Sequence, residues 1–111
     1  MVLVDWDDFQ RVEIRVGTIT AVDDFPEARV QAWKLTIDFG ELGVRRSSAQ
    51  ITDLYSAEAL VGKQVIAVVN FPPKQIGPFM SECLVTGFVQ ADGSVVLAVP
   101  DKPVADGLRL A

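Results

Sequence analysis

The chain contains no histidine and one cysteine, Cys83, among its 111 residues. The two shortages exclude an internal disulfide, a Cys-His nucleophile pair, a Ser-His-Asp triad and an ordinary zinc site. Cys83 sits in a strand-like apolar run, where cysteine behaves as a small buried hydrophobe. No window reaches the roughly 18 consecutive apolar residues that cross a bilayer. The N-terminus, MVLVDWDDFQ, is acidic and lacks the apolar stretch of a secretory signal. A soluble, cytoplasmic protein without membrane insertion is expected. Glycine-rich phosphate loops are missing as well, both G-x-x-x-x-G-K and G-x-G-x-x-G. So is a broad basic surface, since the net charge is −5. The acidic pairs Asp7-Asp8 and Asp23-Asp24 are neighbours in sequence and point apart, which suits solvated surface better than acid–base work. No catalytic role and no metal are expected.

What the chain does have is apolar residues, half of the total, enough for a core without staples. The length fits one domain over residues 1–111. Charge is unevenly spread. Acids dominate the first 24 residues, whereas Arg29, Lys34, Arg45, Arg46, Lys63 and Lys74 outnumber the acids between positions 29 and 74.

Periodicity gives an order of elements. Asp5 is placed to cap a helical turn in which Trp6 and Phe9 share a face. Val12, Ile14 and Val16 alternate with polar residues, and the apolar parity then flips to Ile19 and Ala21. Gly17 lies at the flip, which predicts a bulge or bend there. Trp33, Leu35, Ile37 and Phe39 form one face of a strand, and residues 44–50 read as its hairpin partner. Ser56 can cap a short helix over Ala57–Leu60, stopped by Gly62. Residues 64–70 are apolar on both parities and predict a central strand. Further strands are expected over 81–89 and 94–100, joined by a turn at Asp92-Gly93. The tail carries a turn at Asp106-Gly107 and a short edge strand. This order predicts an all-β protein with short helices: an OB-fold, a five-stranded Greek-key barrel with a short N-terminal helix and a small helix between the third and fourth strands.

The stretch NFPPKQIGPFMSE, residues 70–82, reads as a surface loop, yet it gathers prolines, phenylalanines and a methionine around Lys74. It suits structural closure of the barrel end, or a rim that stacks bases, or one that grips an apolar peptide. Arg45 and Arg46 are adjacent in a strand, so at most one of them can join any one patch.

The strings V-E-I-R-V-G-T-I, F-P-E-A-R, I-D-F-G, S-S-A-Q-I-T and V-G-K-Q-V-I-A-V-V-N-F-P-P-K-Q-I-G-P-F, closed by S-E, resemble the CsaA family. That family belongs to a wider group of tRNA-binding OB domains. The likeness runs from about Asp8 to Leu110. It implies a cytosolic homodimer that acts as an export-related chaperone for unfolded or preprotein segments, with no cofactor and with tRNA as a further partner. For RNA it implies Ser47, Ser48, Gln50, Asn70, Phe71, Lys74, Ser81 and Glu82, with Arg29 nearby; one of Arg45 and Arg46 is a further cationic candidate by strand parity. For peptides the candidates are Phe71, Ile76, Phe79 and Met80. Two positions that are basic in many relatives are Gln75 and Met80 here.

Overall fold

The computed structural model describes residues 1–111. A short helix, α1 (Trp6–Arg11), opens the chain. The Asp5 N–H donates to Asp8 Oδ2 at 3.1 Å, and Asp7 and Asp8 suit the positive end of the helix. Trp6 and Phe9 pack with ring centroids 5.9 Å apart.

Four longer strands follow: β1 (Ile14–Asp24), β2 (Trp33–Asp38), β3 (Val44–Ala49) and β4 (Gln64–Val68). β1 serves two neighbours. Its first half, Ile14–Thr18, pairs with β4, and Thr18–Asp24 pairs with β2. One strand thereby joins both halves of the barrel, as a bend requires. The register slips between Ile19 and Ala21, three residues beyond the expected site at Gly17. Gly17 answers a different need. A Cβ there would lie 2.6 Å from Ile37 Cγ2 and 2.7 Å from the Phe39 ring, so the position is bare because core residues of β2 and the Phe39 that follows it cross there.

The barrel interior follows the predicted alternation. Ile19, Leu35, Ile37, Phe39, Leu60 and Val65 are fully buried. α2 (Ala57–Leu60) carries Leu60 into the barrel, and the Ser56 hydroxyl accepts from the Ala59 N–H at 3.2 Å. Gly62 then turns the chain at φ 89°. Trp33 donates its indole N–H to the Tyr55 carbonyl at 3.0 Å, and the Tyr55 hydroxyl accepts from Leu97 N–H at 3.1 Å.

After β4 the structure departs from the sequence reading in two places. Residues 70–82 are not an irregular loop. They contain a hairpin, β5 (Lys74–Ile76) and β6 (Phe79–Ser81), with Gly77 turning at φ 56°. The expected strand over 81–89 is divided into β7 (Leu84–Val85) and β8 (Gly87–Val89). The division falls at Thr86, whose N–H donates back to Ile66 while its carbonyl accepts from Ala98. β8 pairs with β9 (Val95–Leu97) as a separate hairpin. Its turn is held by Asp92 Oδ1, which accepts from the Ser94 N–H and hydroxyl.

The main sheet has the order β3-β2-β1-β4-β7, all neighbours antiparallel. It curls into a nearly closed barrel of the OB type, as expected. Closure comes where Glu82 meets Arg46: Glu82 N–H donates to the Arg46 carbonyl at 2.7 Å. The tail turns at Gly107 and lies along the free edge of β1, where Arg15 bridges Arg109 and Val16 N–H donates to Leu108.

Candidate ligand groove

Beyond the Arg46–Glu82 closure, β3 and the β7–β8 segment separate and leave a groove of about 660 Å³. That volume lies within the range of small-ligand and peptide clefts. The β5–β6 hairpin and the Phe71-Pro72 turn stand over one end of it. Ser48, Gln50, Phe71, Lys74, Ile76 and Ser81 line the groove, so six side chains selected from the sequence converge on one place. Phe71 is 54% exposed, a free aromatic face at the rim. Lys74 makes no ion pair.

The remaining candidates lie elsewhere. Ser47 is fully buried and donates its hydroxyl to the Cys83 carbonyl at 3.0 Å. Asn70 is a staple: its side-chain oxygen accepts from Glu13 N–H at 2.9 Å and its amide donates to the Arg11 carbonyl at 2.7 Å. Glu82 closes the barrel, and its Oε1 accepts from the Arg46 N–H at 3.0 Å. Arg45 points inward at the barrel end and donates to the Val69 carbonyl at 2.9 Å. Arg29 is exposed on the β1–β2 connection, outside the groove. Met80 is 47% exposed on β6, outside the groove lining.

Phe79 is buried in a second small core with Phe25 and Ala32. Cations surround it. Arg46 lies over its ring at 4.7 Å, and the Lys34 ammonium stands 4.9 Å from the Phe25 ring and 5.7 Å from that of Phe79. Arg46 also approaches Asp23 at 4.0 Å. Lys34 and Arg46 thus share the outer face of β2–β3, with Arg45 turned away from it, as strand parity requires.

Sequence reasoning missed the opposite wall: Leu84, Val85, Val89 and Val95. Val85, Gly87 and Val89 recur with period two, and that spacing was the available signal. It also passed over Lys34 as a ring-facing cation. Cys83 lies on the groove floor, and burial pushes its thiol from 9.0 up to about 11. It is therefore a poor nucleophile. No cluster of three His, Cys, Asp or Glu side chains stands ready for a metal ion.

Fold and groove together define a small OB-type barrel built for binding. Residues 14–109 match the protein family described as "Putative tRNA binding domain", and the chain belongs to that family. The crystal structure of the chaperone CsaA from Bacillus anthracis superimposes with a TM-score of 0.95 at 47% identity, covering 99% of this chain and all of that one. The CsaA chaperone protein from Picrophilus torridus gives 0.91 at 48% identity, covering 98% of this chain and all of that one. Among curated proteins, the methionine–tRNA ligase of Porphyromonas gingivalis is 36% identical over 107 residues, 96% of this chain. The chain spans only 15% of that ligase's length.

Proposed function

We propose that this protein is a non-catalytic chaperone of the CsaA type, one OB domain over residues 1–111 that holds unfolded or preprotein segments in the cytoplasm and serves protein export. The observation that carries the reading is the groove between β3 and β7–β8. Its lining is mostly apolar, and Lys74 is its only charged side chain. Phe71 and Ile76 are the peptide contacts, joined by Leu84, Val85 and Val89, while Phe79 and Met80 support the hairpin from outside. The two high-similarity CsaA structures point the same way.

Self-association as a homodimer belongs to the same proposal. Its support is apolar surface where the termini meet. Arg109 bonds the Gln10 carbonyl and pairs with Glu13 at 3.3 Å, which places the tail beside α1. There Trp6, at 70% exposure, and Leu108 and Leu110 face solvent.

The second reading is tRNA binding, favoured by the family match and by the exposed Phe71 beside Lys74. Arg29, Arg46, Ser48, Gln50 and Ser81 are the further contacts in that reading, whereas Arg45, Ser47, Asn70 and Glu82 act by shaping the surface. A net charge of −5 weighs against it. The test is paired titration with bulk tRNA and with a reduced, unfolded protein at about 50 mM and about 200 mM salt, a span over which phosphate-driven binding collapses. The chaperone reading expects salt-tolerant binding of the unfolded protein with a negative heat-capacity change. Binding of tRNA alone would overturn it.

A further inference from the structure

The groove's two walls carry unpaired backbone. In an antiparallel ladder, alternate residues exchange hydrogen bonds with the neighbour, and those between them direct N–H and C=O to the opposite side. Phe39 N–H donates to the Gly43 carbonyl, which sets the phase for β3. Arg45, Ser47 and Ala49 face β2; Arg46, Ser48 and Gln50 face away. Glu82 takes up both backbone groups of Arg46, and Ser81 Oγ accepts from Ser48 N–H. The Ser48 carbonyl has only the adjacent Ser47 hydroxyl within reach, at 3.2 Å, and that proton goes to the nearer Cys83 carbonyl at 3.0 Å. Gln50 N–H and C=O have no protein partner.

The facing wall has the same property. Thr86 N–H donates to Ile66, so Val85 directs its backbone away from β4. Gln90 bonds to Ser94, and Ala98 to Thr86, so Gly87 and Val89 direct theirs away from β9. Val85, Gly87 and Val89 line the same groove as Ser48 and Gln50. Val89 is 75% exposed. β3 and β7 each lie two antiparallel steps from β1 and therefore run in the same direction. A strand entering between them in the opposite direction is antiparallel to both.

We propose that the groove receives an extended peptide as an added strand, hydrogen-bonded to the Ser48 carbonyl and both backbone groups of Gln50 on one side and to Val85, Gly87 and Val89 on the other. The proposal rests on the peptide-holding reading above and supplies its mechanism. Donors and acceptors that repeat every second residue, about 6.8 Å apart at the strand rise, match a polypeptide backbone and no polynucleotide. Backbone pairing tolerates many sequences, which a holder of unfolded chains needs. Side chains set the preference. Ile51, Cys83 and Val95 line the groove and favour apolar residues at alternate positions of the guest. The unpaired Lys74 ammonium favours a carboxylate at one end of it.

The test uses a labelled, end-capped peptide that alternates valine and threonine and ends in glutamate. It is compared with versions N-methylated at either alternate set of residues, read by anisotropy on the unchanged protein. In the added-strand mode each methylated set loses its bonds to one wall, and the dissociation constant rises about tenfold or more. Val89→Pro, which removes an N–H that bonds nothing in the protein, weakens the parent peptide similarly while leaving Tm and solution mass unchanged. Should that variant fail to fold, the methylation series carries the test. Equal binding of parent and methylated peptides would overturn strand addition and leave the chaperone reading standing. Failure of both the peptides and an unfolded protein to bind would overturn the two together. A change of oligomeric state in Val89→Pro would show that β8 pairs with a second copy, which also overturns the proposal.

Discussion

Arg46 and Glu82 exchange two hydrogen bonds, Glu82 N–H to the Arg46 carbonyl at 2.7 Å and Arg46 N–H to Glu82 Oε1 at 3.0 Å. A side-chain carboxylate stands where a backbone carbonyl would be in an ordinary ladder. The barrel closes through this ring and through Ser81 Oγ, and immediately beyond them it opens into the groove. The Ser-Glu pair fixes where closure stops.

Glu82→Ala leaves the Arg46 N–H without its acceptor. A bond to a charged acceptor contributes about 1.5–3 kcal/mol, and a loss of that order is expected in urea-induced unfolding. Glu82→Gln, which keeps an oxygen at the same reach, loses less. Equal losses in the two variants would assign the effect to the carbon skeleton of the side chain.

Gly17→Ala drives a methyl group into Ile37 and Phe39 at contacts near 2.6–2.8 Å. Overpacking of this kind costs about 1–3 kcal/mol, and a lowered urea midpoint checks it. The groove lies on the other side of β2, so peptide affinity in the folded variant changes less than twofold, well inside the scatter expected for uncoupled distant sites.

Lys74→Ala removes one cation at the rim. If tRNA binds, the slope of log affinity against log salt falls by about one, and affinity drops across all sequences. Neutral apolar peptides are expected to retain theirs, because their proposed contacts are with the walls and floor. Matched losses of RNA and neutral peptide would deny that the rim holds two separable chemistries.

Cys83 reacts slowly with a thiol reagent in the native protein. Burial holds its thiol near 11 rather than 9.0, so at pH 8 the thiolate is about 100-fold scarcer than in the unfolded chain. The sign for stability follows. The folded state keeps its proton where the unfolded state loses it, so this contribution is full below pH 9.0 and is lost as pH rises toward about 11. Cys83→Ala flattens that alkaline decline.

On the acid side, the Ser94 hydroxyl and N–H hold the Asp92 carboxyl below its usual range, and the Arg15 guanidinium does the same for Glu13. Both contributions are complete above the unfolded carboxylate range and are lost as pH falls through the lowered folded values. Asp92→Asn therefore narrows the difference in Tm between pH 7 and pH 3.

The barrel was legible in the sequence because its strands are half-buried and alternate. Trp33, Leu35, Ile37 and Phe39 declared their face, and Ser56 with Gly62 bracketed the one core helix. The rim was harder to read. Prolines at 72, 73 and 78 argue for a loop, yet Ile76 and Phe79 each find apolar partners, and Gly77 supplies the tight turn that lets Lys74–Ile76 pair with Phe79–Ser81. Composition also could not tell a ligand residue from a staple. Asn70, Ser47 and Glu82 are polar and sit among the family strings, but each spends its hydrogen bonds on distant backbone, at Arg11, Cys83 and Arg46. Such long-range partners leave no local period. The groove's far wall belongs to residues 84–95, which read as plain strand.

The two tryptophans live in unlike surroundings. Trp6 is largely exposed, while Trp33 is half-buried, hydrogen-bonded to Tyr55 and paired in register with Ala49 of the groove lining. The intrinsic emission of the single chain is therefore a sum of a wet fluorophore and a sheltered one. Acrylamide quenches the first preferentially, and the proposed dimer face would shield it. In a Trp6→Phe background the remaining light comes from one strand away from the groove, and the protein reports its own occupancy without an attached dye.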